Sequence, residues 1–176
     1  MRDAARQWLR QSDDRWVLDF FGYLNLIGFT KIVVAGGGVL NGVIAALSLL
    51  GPDGVLWPGV GTTAMIVVVV LCLGWTVRWL LLPWPTRSES LMLCAVADVV
   101  ITVTVFAHQN MLLGIASASL FVATSIYLTL FHGAVANLCH VVFTAVVVVA
   151  AVVTCCVVQG TQWLPIATAE AAIVVM

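Results

Sequence analysis

Two long stretches of this 176-residue chain are almost empty of charge. Between Lys31 and Arg78 the one charged residue is Asp53, and between Glu89 and Glu170 the one charged residue is Asp98. Water cannot be the solvent around such stretches, because nothing in them would face it. The whole chain is 62% hydrophobic and 9% charged, whereas soluble domains carry about 25% charged residues. The outer surface therefore meets lipid. A formal net charge of −1 gives no basis for binding nucleic acid, and the length allows one compact domain.

The deserts divide into five apolar runs: Ile32 to Leu50, Val60 to Val77, Leu91 to Ala107, Met111 to Leu130 and Gly133 to Val158. Each reaches the length of about 17 residues that a helix needs to cross a hydrocarbon core. Val67–Val70 and Val146–Val149 would favour strands in water. In lipid an unpaired backbone has no solvent to bond, so these runs are expected to be helices. The fifth run is longer than the bilayer requires and should tilt or protrude. From Trp163 to Met176 only fourteen residues remain, a helix of about 21 Å, too short to span. The expected fold is all-α: a polytopic bundle of five full transmembrane spans plus an incomplete sixth, over residues 31–176. The short sixth segment reads either as a half-helix shielded by its neighbours or as the start of a span cut off by truncation, the second being favoured.

Positive charge sets the orientation. Arg2, Arg6, Arg10, Arg15 and Lys31 precede the first span, and Arg78 and Arg87 flank the second connection. The connection at Gly51-Pro52-Asp53 has neither Lys nor Arg. The expectation is a multi-pass protein of the inner (plasma) membrane with a cytoplasmic N-terminus. Trp75, Trp79 and Trp84 would form an inner belt, with Trp57 and Trp163 at the outer interface. Residues 1–30 read as a cytoplasmic amphipathic segment. There Ser12 can cap a helix, and Trp16, Phe20, Tyr23, Leu24 and Ile27 recur at helical spacing on one apolar face. That helix reads as an interfacial anchor or as a relay of a signal.

The five cysteines lie in apolar runs without a C-x-x-C pair, so they read as small hydrophobes, not as zinc ligands or a disulfide framework. A cleavable leader is not expected, since the first long apolar run starts late and lacks an A-x-A site. No nucleophile–base constellation, HExxH, P-loop or dinucleotide fingerprint is present. Neither a cofactor nor a catalytic site is expected.

A few polar groups stand out. Asp98 lies about 10 Å into the third span when counted from Leu91, and an ionisable group at that depth is a functional candidate. His140 reaches a similar depth from the same side, so a pair with Asp98 is allowed if the third and fifth spans are neighbours. Arg78, reaching inward from the second span, is the competing partner. The alternative is that Asp98 only fixes helix packing. With His132 and Glu170 these groups are scattered in depth, which argues against a proton path. His108 reads as an exposed turn residue. Gly38, Gly42 and Ala46, spaced by four, form a small-residue stripe that lets helices approach closely, within the bundle or in a homodimer. Gly114 with Ala118 and Ser119 with Ala123 repeat the pattern on the fourth span.

Several short segments carry a family likeness: Trp84-Pro85-Thr86-Arg87 after the second span, Tyr127 with Phe131-His132-Gly133, Asn137, the Gly51-Pro52-Asp53-Gly54 turn, and Arg10-Gln11-Ser12-Asp13 with Trp16 and Tyr23. In these the chain resembles the N-terminal membrane region of actinobacterial, particularly mycobacterial, GGDEF diguanylate cyclases. The resemblance implies about six transmembrane helices followed by a cytoplasmic GGDEF domain. No GGDEF motif occurs in these 176 residues, so no catalytic residue carries over. What the resemblance implies is a sensory or anchoring region of a cyclic di-GMP signalling protein, with a downstream output domain as partner and a homodimer to bring two output domains together. The alternatives are a standalone small membrane protein, transporter-like or an accessory subunit, and a decayed gene product. A transporter would need a water-accessible cavity lined by Asp98 and His140.

Overall fold

The computed structural model describes residues 15–51 and 54–159, together with 164, 165, 168, 169 and 172. The N-terminal cap at Ser12, the outer tryptophan Trp163, Glu170 and most of the short sixth segment lie outside the described residues. Those residues form α1 (Arg15–Tyr23), α2 (Ile27–Leu50), α3 (Val60–Leu81), α4 (Arg87–Ala107), α5 (Met111–Ser117), α6 (Leu120–Phe131) and α7 (Gly133–Gln159). Helices α2, α3, α4 and α7, and the joined α5–α6, are each long and apolar enough to cross a membrane. The protein is an all-α, multi-pass membrane bundle. Both valine runs lie inside helices, α3 and α7, as expected where the backbone must bond itself.

Helix α4 is the hub, packing against α2, α3, α5, α6 and α7. Its start follows from sequence: Thr86 accepts from the Glu89 amide, and the Glu89 carboxylate accepts from the Thr86 amide. This reciprocal pair satisfies two N–H groups that helix geometry leaves without partners. At the other end Leu56 N–H donates to the Ala107 carbonyl at 2.8 Å, which ties the α2–α3 connection to the α4–α5 turn. Between α6 and α7 the chain reverses at Gly133, whose φ of 76° suits a residue without a Cβ.

The small-residue stripe works inside the chain. A Cβ on Gly38 would overlap the Trp75 indole, and one on Gly42 would stand 3.1 Å from Cys72 Cβ. These two glycines let α2 and α3 lie close together, the Trp75 N–H donating to the Val34 carbonyl at 3.0 Å. Gly114 does the same for α5, since a Cβ there would overlap the Val105 carbonyl of α4. Ala46 is half-buried, while its neighbour Ala45 is fully enclosed.

At the end of the bundle that carries Arg78 and Arg87, aromatic rings interlock. Trp79 meets Trp84 edge-on at 5.5 Å and Tyr127 edge-on at 5.6 Å, and Phe131 lies 4.9 Å from Tyr127. Trp79 is 1% exposed. Of the three tryptophans read as an interfacial belt, this one is therefore a core residue, turned inward by its neighbours. Helix α1 docks on the same cluster with a face other than the one its periodicity suggests. Val17 is buried and Phe21 packs on Phe131 at 5.7 Å, whereas Phe20, Tyr23 and Leu24 are exposed. The helix is apolar on two sides, one against the bundle and one left for the lipid interface.

Candidate functional site

The structure brings Asp98 and His140 together. Helix α4 begins at Arg87, not Leu91, which puts Asp98 near its middle, about 16 Å along the axis. His140 approaches from α7, and its Nδ1 lies 3.0 Å from Asp98 Oδ2. Its Nε2 lies 3.0 Å from the Phe121 carbonyl oxygen. The imidazole meets the Phe121 ring edge-on at 5.9 Å, and the His140 and Asp98 side chains are 2% and 13% exposed.

Hydrogen-bond chemistry fixes the proton inventory. A carbonyl oxygen only accepts, so Nε2 carries hydrogen. One further proton must then lie between Nδ1 and Oδ2, because two bare acceptors 3.0 Å apart would repel. Placed on nitrogen it gives imidazolium and carboxylate; placed on oxygen it gives two neutral groups. The pair is neutral overall in both cases, which is how an aspartate is tolerated amid apolar helices. Asp98 Oδ1 is buried with no hydrogen-bond partner.

A break in the fourth span helps position this contact. Amides of Ala118, Ser119, Phe121 and Val122 each bond three residues back, to Ile115, Ala116, Ala118 and Ser119. That is 3₁₀ geometry, tighter than α. It separates α5 from α6 just ahead of the Phe121 carbonyl that holds His140.

Arg78 does not join the pair. Its Nε and Nη2 donate to Glu89 Oε1 at 2.9 and 2.5 Å, and its Nη1 to the Pro83 carbonyl at 2.9 Å. The expectation of Arg78 as a partner for Asp98 is corrected: the guanidinium sits at the end of α3 and finds Glu89 across the tight α3–α4 turn. Lys31 Nζ donates to the Leu82 carbonyl at 2.7 Å in the same connection. Lys31, Arg78 and Glu89 thus gather at one end of the bundle.

Two further polar nodes were not foreseen. Ser90 Oγ lies 2.6 Å from Tyr127 Oη and 2.8 Å from His132 Nε2, joining α4, α6 and the α6–α7 turn. A hydroxyl beside an imidazole is the nucleophile–base pattern, but Ser90 and His132 are 2% and 5% exposed and the hydroxyl is engaged on two sides. The second node corrects the reading of His108 as an exposed turn residue. It is 1% exposed, with Nδ1 donating to the Thr104 carbonyl at 2.6 Å and Nε2 2.8 Å from Ser48 Oγ of α2. The loop at Val55 is bridged to the His108 backbone. Burial pushes the His108 imidazole below its ordinary pKa of 6.5, the bond to Thr104 opposing.

Among the described residues no three His, Cys, Asp or Glu side chains converge as a metal would require. A cavity of about 250 Å³ opens between α2, α3, α4 and α6, walled by other residues than Asp98 and His140. No protein-family model, no curated protein and no solved structure matches the chain.

Proposed function

We propose that this chain is the membrane-embedded sensory and anchoring region of a cyclic di-GMP signalling protein, non-catalytic in itself, as its resemblance to actinobacterial diguanylate cyclase membrane regions implies. In this reading it lies in the inner (plasma) membrane with its N-terminus in the cytoplasm. It acts on a cytoplasmic output domain downstream, as a homodimer, because two such domains must meet to join two GTP molecules. Gly38 and Gly42 are engaged against α3, so a dimer would use another surface.

One observation carries the reading: three pairs of polar side chains tie helix to helix, each separate from the others. Asp98–His140 joins α4 to α7, Ser48–His108 joins α2 to the end of α4, and Ser90–Tyr127 joins α4 to α6. A conducting path needs such groups in a continuous, wetted row, and the cavity is instead almost wholly apolar. Ties of this kind fix the relative positions of helices. Through Phe21 on Phe131, α1 is attached to the α6–α7 corner, so a shift of that corner reaches the N-terminal segment.

The test joins a diguanylate cyclase domain after residue 176 and measures cyclic di-GMP made by membranes. Detaching α1 with Phe21→Ala should change output at least threefold at equal protein level. Output equal to that of the unaltered fusion would reduce the region to an anchor and contradict sensing.

A further inference from the structure

We infer that the cavity between α2, α3, α4 and α6 is a binding site for a single-chain lipid bearing a hydroxyl group, entered sideways from the bilayer. This goes beyond the sensory reading and does not depend on it.

The cavity holds about 250 Å³. An engineered apolar cavity of about 150 Å³ already takes up benzene, and pockets for drug-sized ligands start at about 300 Å³. The space suits one hydrocarbon chain, not a two-chain phospholipid. Three wall residues near its mouth, Val33, Ile126 and Leu130, are 57%, 56% and 43% exposed. They lie on the lipid-facing side of α2 and α6, so the entrance faces the acyl chains.

The polar groups of the wall identify the head of the ligand. The Thr30 hydroxyl donates to the Leu26 carbonyl, the Trp75 N–H to the Val34 carbonyl, and the Tyr127 hydroxyl pairs with Ser90. Asn41 is different. It is 3% exposed, its Nδ2 makes only a long 3.6 Å contact to Cys72 Sγ, and its Oδ1 has no partner. A buried amide oxygen without a bond is unfavourable.

A hydroxyl carried on a chain that fills the cavity can supply the missing bond. The terminal torsion of asparagine is soft, and the thiol contact is too long to hold the amide. Turned over, the amide can accept from the Cys72 thiol and leave its –NH₂ for the ligand. A hydroxyl both donates and accepts, so it satisfies either orientation, whereas an alkane satisfies neither.

The experiment uses the full chain in nanodiscs and a diazirine derivative of 1-dodecanol, with cross-linked residues mapped by mass spectrometry. Labelling should concentrate on α2 and α6 wall residues, and free 1-dodecanol should compete at least fivefold better than dodecane. Two variants separate the chain from its head. Asn41→Leu should lower labelling at least fivefold. Gly37→Leu, at a wall glycine where a Cβ meets nothing within 4 Å, should abolish it by filling the space. Should Asn41→Leu fail to fold, the dodecane comparison on the native chain still decides. Equal competition by dodecane overturns the hydroxyl assignment. Labelling spread evenly over lipid-facing Val142, Val146 and Val149 of α7, and indifferent to Gly37→Leu, overturns the site. Because binding is read on the purified chain, its failure is independent of any failure of the cyclase fusion.

Discussion

His140 holds Asp98 by one ring nitrogen and the Phe121 carbonyl by the other, at 3.0 Å each, so a single side chain of α7 joins the middle of α4 to the start of α6. The contact requires one shared proton and leaves no net charge. It therefore acts as a polar fastener within an apolar bundle.

That account predicts coupling between the two residues. Asp98→Ala and His140→Ala should each destabilise the bundle by about 1–3 kcal/mol, since each leaves a buried polar group unpaired. The double variant should fall short of additivity by about 1 kcal/mol, the range of interhelical hydrogen bonds in membranes. Asp98→Asn should be milder than Asp98→Ala, because its amide N–H can donate to a neutral imidazole. Reversible unfolding in mixed micelles measures all four, and strict additivity would mean the two side chains do not interact.

A pH dependence is expected at the opposite end. The folded state holds the His108 imidazole below its ordinary 6.5 by burial, so the unfolded chain binds the proton more readily. Stability contributed by neutral His108 is complete above about pH 6.5 and declines as pH falls from there toward the lowered folded value. His108→Asn should flatten that portion of the profile. A native chain whose unfolding midpoint rises between pH 6.5 and 5 would have the sign reversed.

The glycines of α2 should differ in tolerance. Gly38→Ala drives a methyl into the Trp75 indole and should destabilise by about 1–3 kcal/mol through overpacking. Gly36→Ala, where a Cβ meets nothing within 4 Å, should stay within about 0.5 kcal/mol. Thermal unfolding in detergent compares the pair, and equal losses would show that the α2–α3 approach does not depend on Gly38.

The spans were legible because charge deserts leave lipid as the only solvent. Their charged ends were underestimated: α2 starts at Ile27, α3 runs to Leu81 and α4 starts at Arg87. Lys31, Arg78 and Glu89 lie in those extra turns, and pairing lets the helices continue through them. Depth counting allowed Asp98 to pair with His140 only if the third and fifth spans were neighbours, a condition that α4 and α7 meet. Burial of His108 was not legible, because its contacts come from the Val55 loop bridged to its backbone and from Ser48 of α2, sixty residues earlier. The 3₁₀ break at Ala118–Ser119 falls within an unbroken apolar run that gives composition nothing to register. Periodicity found Phe20, Tyr23 and Leu24 on one face of α1, but Phe131, far along the chain, selects Val17 and Phe21 for docking. Thr86-x-x-Glu89 is a signal that sequence does contain, a capping box.

The central claim is that helices such as α4 run from one face of a bilayer to the other. Ser88 in the first turn of α4 and Gln109 just beyond its end are both exposed. With the five native cysteines replaced, Ser88→Cys and Gln109→Cys are treated in intact cells with a membrane-impermeant maleimide. The account predicts that Gln109→Cys labels at once and Ser88→Cys only after permeabilisation. Labelling of both positions from the same side of the intact membrane would contradict it.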